Sequence, residues 1–132
     1  MEQNNKKVFI VEDDSAISDI YKMIVENAGF KVEVFNLGQD AIRAVQKAKP
    51  GSEEIPDIIL LDLILPDING LEVLKEVKSA QGGKDIKVFI LTNQSNVEFK
   101  PEDPVQPNKV IIKANTDPTQ LVGIIKKELG LV

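Results

Sequence analysis

A chain of 132 residues, 42% hydrophobic and 28% charged, fits one globular domain and leaves little room for a second with its own core. The absence of cysteine and histidine excludes disulfides, thiolate metal sites, cysteine nucleophiles and the usual imidazole base, so any chemistry falls to carboxylates, hydroxyls and lysines. A net charge of -5 without a Lys/Arg cluster argues against a nucleic-acid surface; with a polar start from Met1 to Lys7 and no apolar run near the roughly 20 residues of a membrane helix, a cytoplasmic protein with no membrane contact is expected.

Apolar runs alternate with segments of helical period. Val8 to Val11 reads as a short buried strand that ends in Glu12 and Asp13. Ile17, Ile20, Tyr21, Ile24 and Ala28 then recur at helical spacing, with Asp14 or Ser15 to cap the helix and Gly29 to end it. Tyr21, on that stripe, reads as a partly buried core residue. Val32 to Phe35 gives a second buried strand, ending in Asn36, and Ala41, Ile42, Val45 and Ala48 give a helix that stops before Pro50.

Ile58 to Leu61 is a third strand running into Asp62, followed by a loop in which Pro66 and the turn pair Asn69-Gly70 act as backbone punctuation. Leu71, Leu74 and Val77 predict a helix before Gly82 and Gly83, and Val88 to Leu91 a strand ending at Thr92. Val110 to Ile112 predicts a fifth short buried strand ending at Lys113, with a last helix on Leu121, Val122, Ile125 and Leu129.

The rhythm breaks between the last two strands. Residues 93 to 109 should hold a fourth crossover helix, yet Pro101, Pro104 and Pro107 come three apart, and each removes a helical hydrogen bond and clashes with the preceding turn. Only Val97, Phe99 and Val105 are apolar there, so a loop or single turn is predicted.

Alternating strands and helices imply an α/β fold: a flavodoxin-like, doubly wound, five-stranded parallel sheet of order 2-1-3-4-5 whose fourth helix is shortened or missing. In such a sheet the C-terminal strand ends share one edge, where ligands bind. Glu12, Asp13, Asp62, Thr92 and Lys113 therefore converge, and Asn36, on an edge strand, takes no part in the chemistry. Three carboxylates this close either take up protons or hold a cation, and an oxygen-only set suits Mg²⁺ or Mn²⁺. With the acids ionised, a divalent ion and Lys113 bring the formal charge to zero, which tolerates an approaching phosphoryl group and leaves Asp62 as an oxygen nucleophile.

Val11-Glu12-Asp13-Asp14, Leu60-Leu61-Asp62 followed by Pro66 and Gly70, Leu91-Thr92 and Ile112-Lys113 together resemble the signature of response-regulator receiver domains of two-component signalling. The resemblance runs from about Lys7 to Leu129, with residues 1–132 read as one stand-alone domain. It implies that Asp62 accepts a phosphoryl group from a histidine kinase or histidine phosphotransfer protein. It also implies Mg²⁺ held by Asp13, Asp62 and the backbone carbonyl of Ile64, with Glu12 acting through water, and Thr92 and Lys113 on the phosphoryl oxygens. Such a protein is a switch rather than an enzyme, a monomer or weak dimer that signals to a downstream protein.

The sequence departs from the family where an aromatic residue often stands three positions before the lysine, here Val110, and where proline usually follows it, here Ala114. A haloacid-dehalogenase-type phosphohydrolase would use a second aspartate two positions after the nucleophile, where this chain has Ile64, and would need a cap domain. A pseudo-receiver acting only through protein contacts usually loses one of the acidic, aspartate or lysine positions, and all are kept here.

Overall fold

The computed structural model describes residues 4–94, 99–100 and 102–131. Five strands, β1 (Lys7–Val11), β2 (Lys31–Phe35), β3 (Ile58–Asp62), β4 (Lys87–Thr92) and β5 (Lys109–Ile112), form one parallel sheet in the order β2-β1-β3-β4-β5. Helices α1 (Ser15–Asn27), α2 (Gly38–Lys47), α3 (Gly70–Ser79) and α4 (Pro118–Glu128) cover its two faces. The flavodoxin-like order predicted from the sequence is the one observed. Among the described residues, no helix is long and apolar enough to cross a membrane.

Successive side chains of a strand point to opposite faces, so a strand covered on both sides must be apolar throughout. In β1, β3 and β4, Phe9, Val11, Ile59, Leu61, Val88 and Ile90 face α2 and α3, while Val8, Ile10, Ile58, Leu60, Phe89 and Leu91 face α1 and α4. Burying each such side chain is worth about 1.5–3 kcal/mol, which makes these three strands the rigid base of the site. The expectation that β2 and β5 are equally buried does not hold: Lys31, Glu33 and Lys109 are exposed and Val32, Val34, Phe35, Val110 and Ile112 only half-buried, because an edge strand has one neighbour.

Local signals explain the helix ends. Asp14 caps α1, its carboxylate accepting the N–H groups of Ala16 at 3.0 Å and Ile17 at 3.2 Å, and Gly29 follows the helix at φ 98°, a conformation favouring glycine. The predicted stripe of α1 needs one correction. Ser18, Tyr21 and Val25 form the buried line, and Ile20, about 100° round the helix from Tyr21, is 47% exposed. On α3, similarly, Val73 is buried and Leu71 exposed. Asn69-Gly70 starts that helix instead of making a separate turn, since the Asn69 side chain accepts the N–H of Leu71 at 2.8 Å. A reciprocal bond pair between Asp117 and Gln120, with Pro118 in the first turn, opens α4.

The crossover from β4 to β5 has no helix among its described residues, as the prolines predicted; Val97 and Pro101 lie outside the described residues. Phe99 and Val105 pack, half-buried, against the α2/α3 side of the core.

One contact was not foreseen. The residue before α2, Leu37, has no side-chain acceptor, and the cap is supplied by Asp67 from the loop after β3, whose two oxygens accept the N–H groups of Gly38 and Gln39 at 2.9 Å each. Desolvation acts to raise the Asp67 pKa and is outweighed by the bonds from Gln39 and Gly38, which hold the carboxyl below its usual range. Because the folded value is depressed, the ionised group stabilises the fold above the unfolded value of 3.8, and that contribution is lost as pH falls through the folded pKa. Asp67→Asn is therefore expected to lower stability at neutral pH by about 0.5–2 kcal/mol, toward the low end for an exposed side chain. Thermal melts should show the gap from wild type closing below pH 3.8; a gap independent of pH would mean that the charge contributes nothing.

Candidate functional site

The register of the sheet brings the strand ends level. Val11 lies beside Leu61, Asp62 beside Leu91 and Thr92 beside Ile112, so the residues that leave β1, β3, β4 and β5 meet at one edge. Glu12 is 3% exposed and held from several sides. Its N–H donates to the Phe35 carbonyl at 3.0 Å, its own carbonyl accepts from the Asn36 side-chain amide at 3.0 Å, and its Oε2 accepts the N–H of Asp14 at 3.2 Å. Asn36, which the sequence reading left out of the site, thus positions a member of it. Only the neighbourhood of β1 and β2 gives it that role, and no local spacing signals it.

Lys113 Nζ donates to Glu12 Oε1 at 2.6 Å and to Asp62 Oδ2 at 3.2 Å. Desolvation would lower the lysine pKa, but the bond the lysine donates to Glu12 and the charge of Asp62 outweigh it and raise the value, so the ammonium stays charged. The other oxygen of Asp62, Oδ1, accepts the N–H of Ile64 at 3.2 Å, which folds the start of the loop back onto the aspartate. Asp13 is exposed at the rim. Glu12, Asp13 and Asp62 each place a carboxylate oxygen within 4.8 Å of the others. Three negative charges against one ammonium leave a deficit of two, the charge of one divalent cation, and an all-oxygen donor set fits Mg²⁺ or Mn²⁺.

Thr92 is 1% exposed, and its Oγ1 accepts the N–H of Gln94 at 3.0 Å, a bond that uses a lone pair and not the hydroxyl hydrogen. Ile64 is 64% exposed. Tyr21 is buried as expected of a core residue: burial raises its pKa, Lys113 lowers it, and Glu12 and Asp62 raise it, so its hydroxyl feels the field of the site.

Gly70 explains how close α3 comes to β3. A Cβ there would sit 2.5 Å from the Asp62 carbonyl oxygen and 2.7 Å from Leu63 Cα, while its N–H donates to the Leu63 carbonyl at 2.9 Å. The reading of Pro66 and Gly70 as scaffold agrees with this crowding at Gly70. Gly70→Ala is expected to destabilise the protein by about 1–3 kcal/mol, the range for forcing extra atoms into packed structure. Urea denaturation measures it, and a loss below about 0.5 kcal/mol would show that the loop yields.

A family model for the response regulator receiver domain matches residues 8–126. The chain belongs to this family. Among curated relatives, this receiver is 24% identical over 146 residues to the DNA-binding response regulator MtrA of Mycobacterium bovis, covering 99% of the present chain and 61% of that protein. It therefore spans about three-fifths of that relative's length. Among solved structures, the Mn²⁺-bound response regulator Rcp1 superposes with a TM-score of 0.73 at 30% identity, covering 96% of each chain. The receiver domain of a sensor histidine kinase from Pseudomonas aeruginosa, solved with magnesium in its active-site cleft, has a TM-score of 0.78 at 20% identity, covering 95% of this chain and 98% of that one, and shows the shared fold.

Proposed function

We propose that this receiver is a phosphoacceptor switch in which Asp62 takes a phosphoryl group from a histidine kinase or histidine phosphotransfer protein, with Mg²⁺ or Mn²⁺ at the carboxylate cluster. The supporting observation is the Lys113 ammonium bridging Glu12 and Asp62 beside carboxylate oxygens that lie within 4.8 Å of one another. Membership of the family and the manganese bound by Rcp1 support the same reading.

Asp13, Asp62 and the Ile64 carbonyl would hold the cation, with Glu12 acting through water, and a bound ion would supply positive charge toward the phosphoryl oxygens. The remaining work falls to the chain. Lys113 and the Ile64 N–H hold the two oxygens of Asp62, so the nucleophile is oriented before the donor arrives. An Asp62 oxygen attacks phosphorus, the bond from phosphorus to the donor imidazole nitrogen breaks, and the electron pair stays with the imidazole. Lys113, keeping Glu12, passes its other bond to a phosphoryl oxygen, and the Thr92 hydroxyl donates to another. The switch works in the cytoplasm through protein partners. A pseudo-receiver is the alternative, favoured by Val110, Ala114 and the proline-rich sequence of residues 93 to 109, which alter the face many receivers use for output.

Wild type and Asp62→Asn, incubated with acetyl phosphate with and without Mg²⁺, are read by intact mass. Wild type alone should gain one phosphoryl mass, and only with metal; no gain in either protein would favour the pseudo-receiver.

The exposed apolar side chain of Ile64 cannot orient an attacking water, so the acyl phosphate is expected to be long-lived. Ile64→Asn should shorten its lifetime by up to about tenfold, less than the roughly 10²–10³ that a dedicated oxyanion donor supplies. Decay followed by mass would count against this role for Ile64 if the two lifetimes were equal.

A further inference from the structure

The capping of α2 by Asp67 joins two segments that flank the carboxylate cluster. On one side, the loop that leaves Asp62 is fastened at its start by the Ile64 N–H on Asp62 Oδ1 and at its end by the Gly70 N–H on the Leu63 carbonyl. Its outer part reaches across to α2 through the Asp67 carboxylate, with one oxygen on each of the Gly38 and Gln39 N–H groups. On the other side, the chain just before α2 carries Asn36, whose side-chain amide holds the carbonyl of Glu12. Lys113 closes the ring by bonding both Glu12 and Asp62.

We infer that Asp67 is a positioning residue for the cation site, fixing the loop that follows Asp62 and carries Ile64 against the β1 end that carries Glu12 and Asp13. This inference rests on the cation role of the cluster proposed above. Asp67 touches none of the acidic groups. It acts by setting the gap between the two banks of ligands, as outer partners of metal ligands do elsewhere. Gly38 makes the approach possible, because a Cβ there would lie 2.8 Å from Val73 Cγ2 and 2.9 Å from Ile68 Cγ1. A local cap at position 37 would stabilise α2 equally well but would leave the loop untied, and the tie is what the long-range arrangement adds.

That difference supplies the test. Calorimetric titration of the full chain with Mn²⁺ is expected to show Asp67→Ala binding about tenfold more weakly than wild type, at the low end of the roughly 10–100-fold seen for outer-shell partners. Leu37→Ser in the Asp67→Ala background puts a capping hydroxyl on an extended residue, φ -120° and ψ 138°, and should restore the melting temperature while affinity stays weak. Amide exchange across residues 63–69 should remain fast in both variants. Recovery of affinity together with stability, or wild-type affinity in Asp67→Ala, would show Asp67 to be a helix cap only and overturn the inference. Should the alanine variant fail to fold, Asp67→Asn, which keeps one accepting oxygen, is expected to bind with intermediate affinity, and unchanged affinity overturns the inference equally. Absence of Mn²⁺ binding in wild type is a separate result, which removes the cation reading itself and this inference with it.

Discussion

The bond from Lys113 to Glu12 and Asp62 is the constraint on which the rest of the structure turns. A parallel sheet gathers its strand ends, and here two central strands end in acids whose oxygens approach within 4.8 Å. Like charges at that distance repel by roughly 3–4 kcal/mol per pair at an effective dielectric constant near 20. The ammonium offsets part of that repulsion and leaves the remainder as an unmet demand for positive charge. The buried side chains of β1, β3 and β4 supply the stability that lets a fold carry such a site. Stability and the candidate site thus fall to different parts of the same three strands, the apolar run to the first and the residue after it to the second.

The sequence made the central strands easy to see, because burial on both faces requires an unbroken apolar run, and it made the candidate site residues easy to pick out because each follows such a run. The same rule overstated β2, where Val32, Val34 and Phe35 look like a core strand but sit at an edge. In α1, period placed Ile20 on the apolar stripe and left Val25 off it, whereas packing against the sheet covers Val25 and leaves Ile20 exposed. The pair Asn69-Gly70 was ambiguous for a chemical reason: a short side-chain acceptor followed by glycine serves a turn and a helix start equally.

Asn36 and Asp67 were illegible in a stronger sense. Each acts through backbone groups far along the chain, 24 residues away for Asn36 and 28 to 29 for Asp67, and neither lies in a pattern that periodicity or spacing can mark. Their roles exist only once the order of the strands is known. The prolines of the β4–β5 crossover are the opposite case, for they act on their own residues, and the absence of a helix among the described residues there followed directly from them.

The separation of 101 residues between Glu12 and Lys113 also bears on how the protein is made. At synthesis rates of about 5–20 residues per second, the carboxylate at the end of the first strand waits roughly 5–20 s for the lysine that neutralises it. Over that interval the nascent chain holds its acids without the ammonium that bridges them, so the site cannot close before the fifth strand and the lysine that follows it have been made.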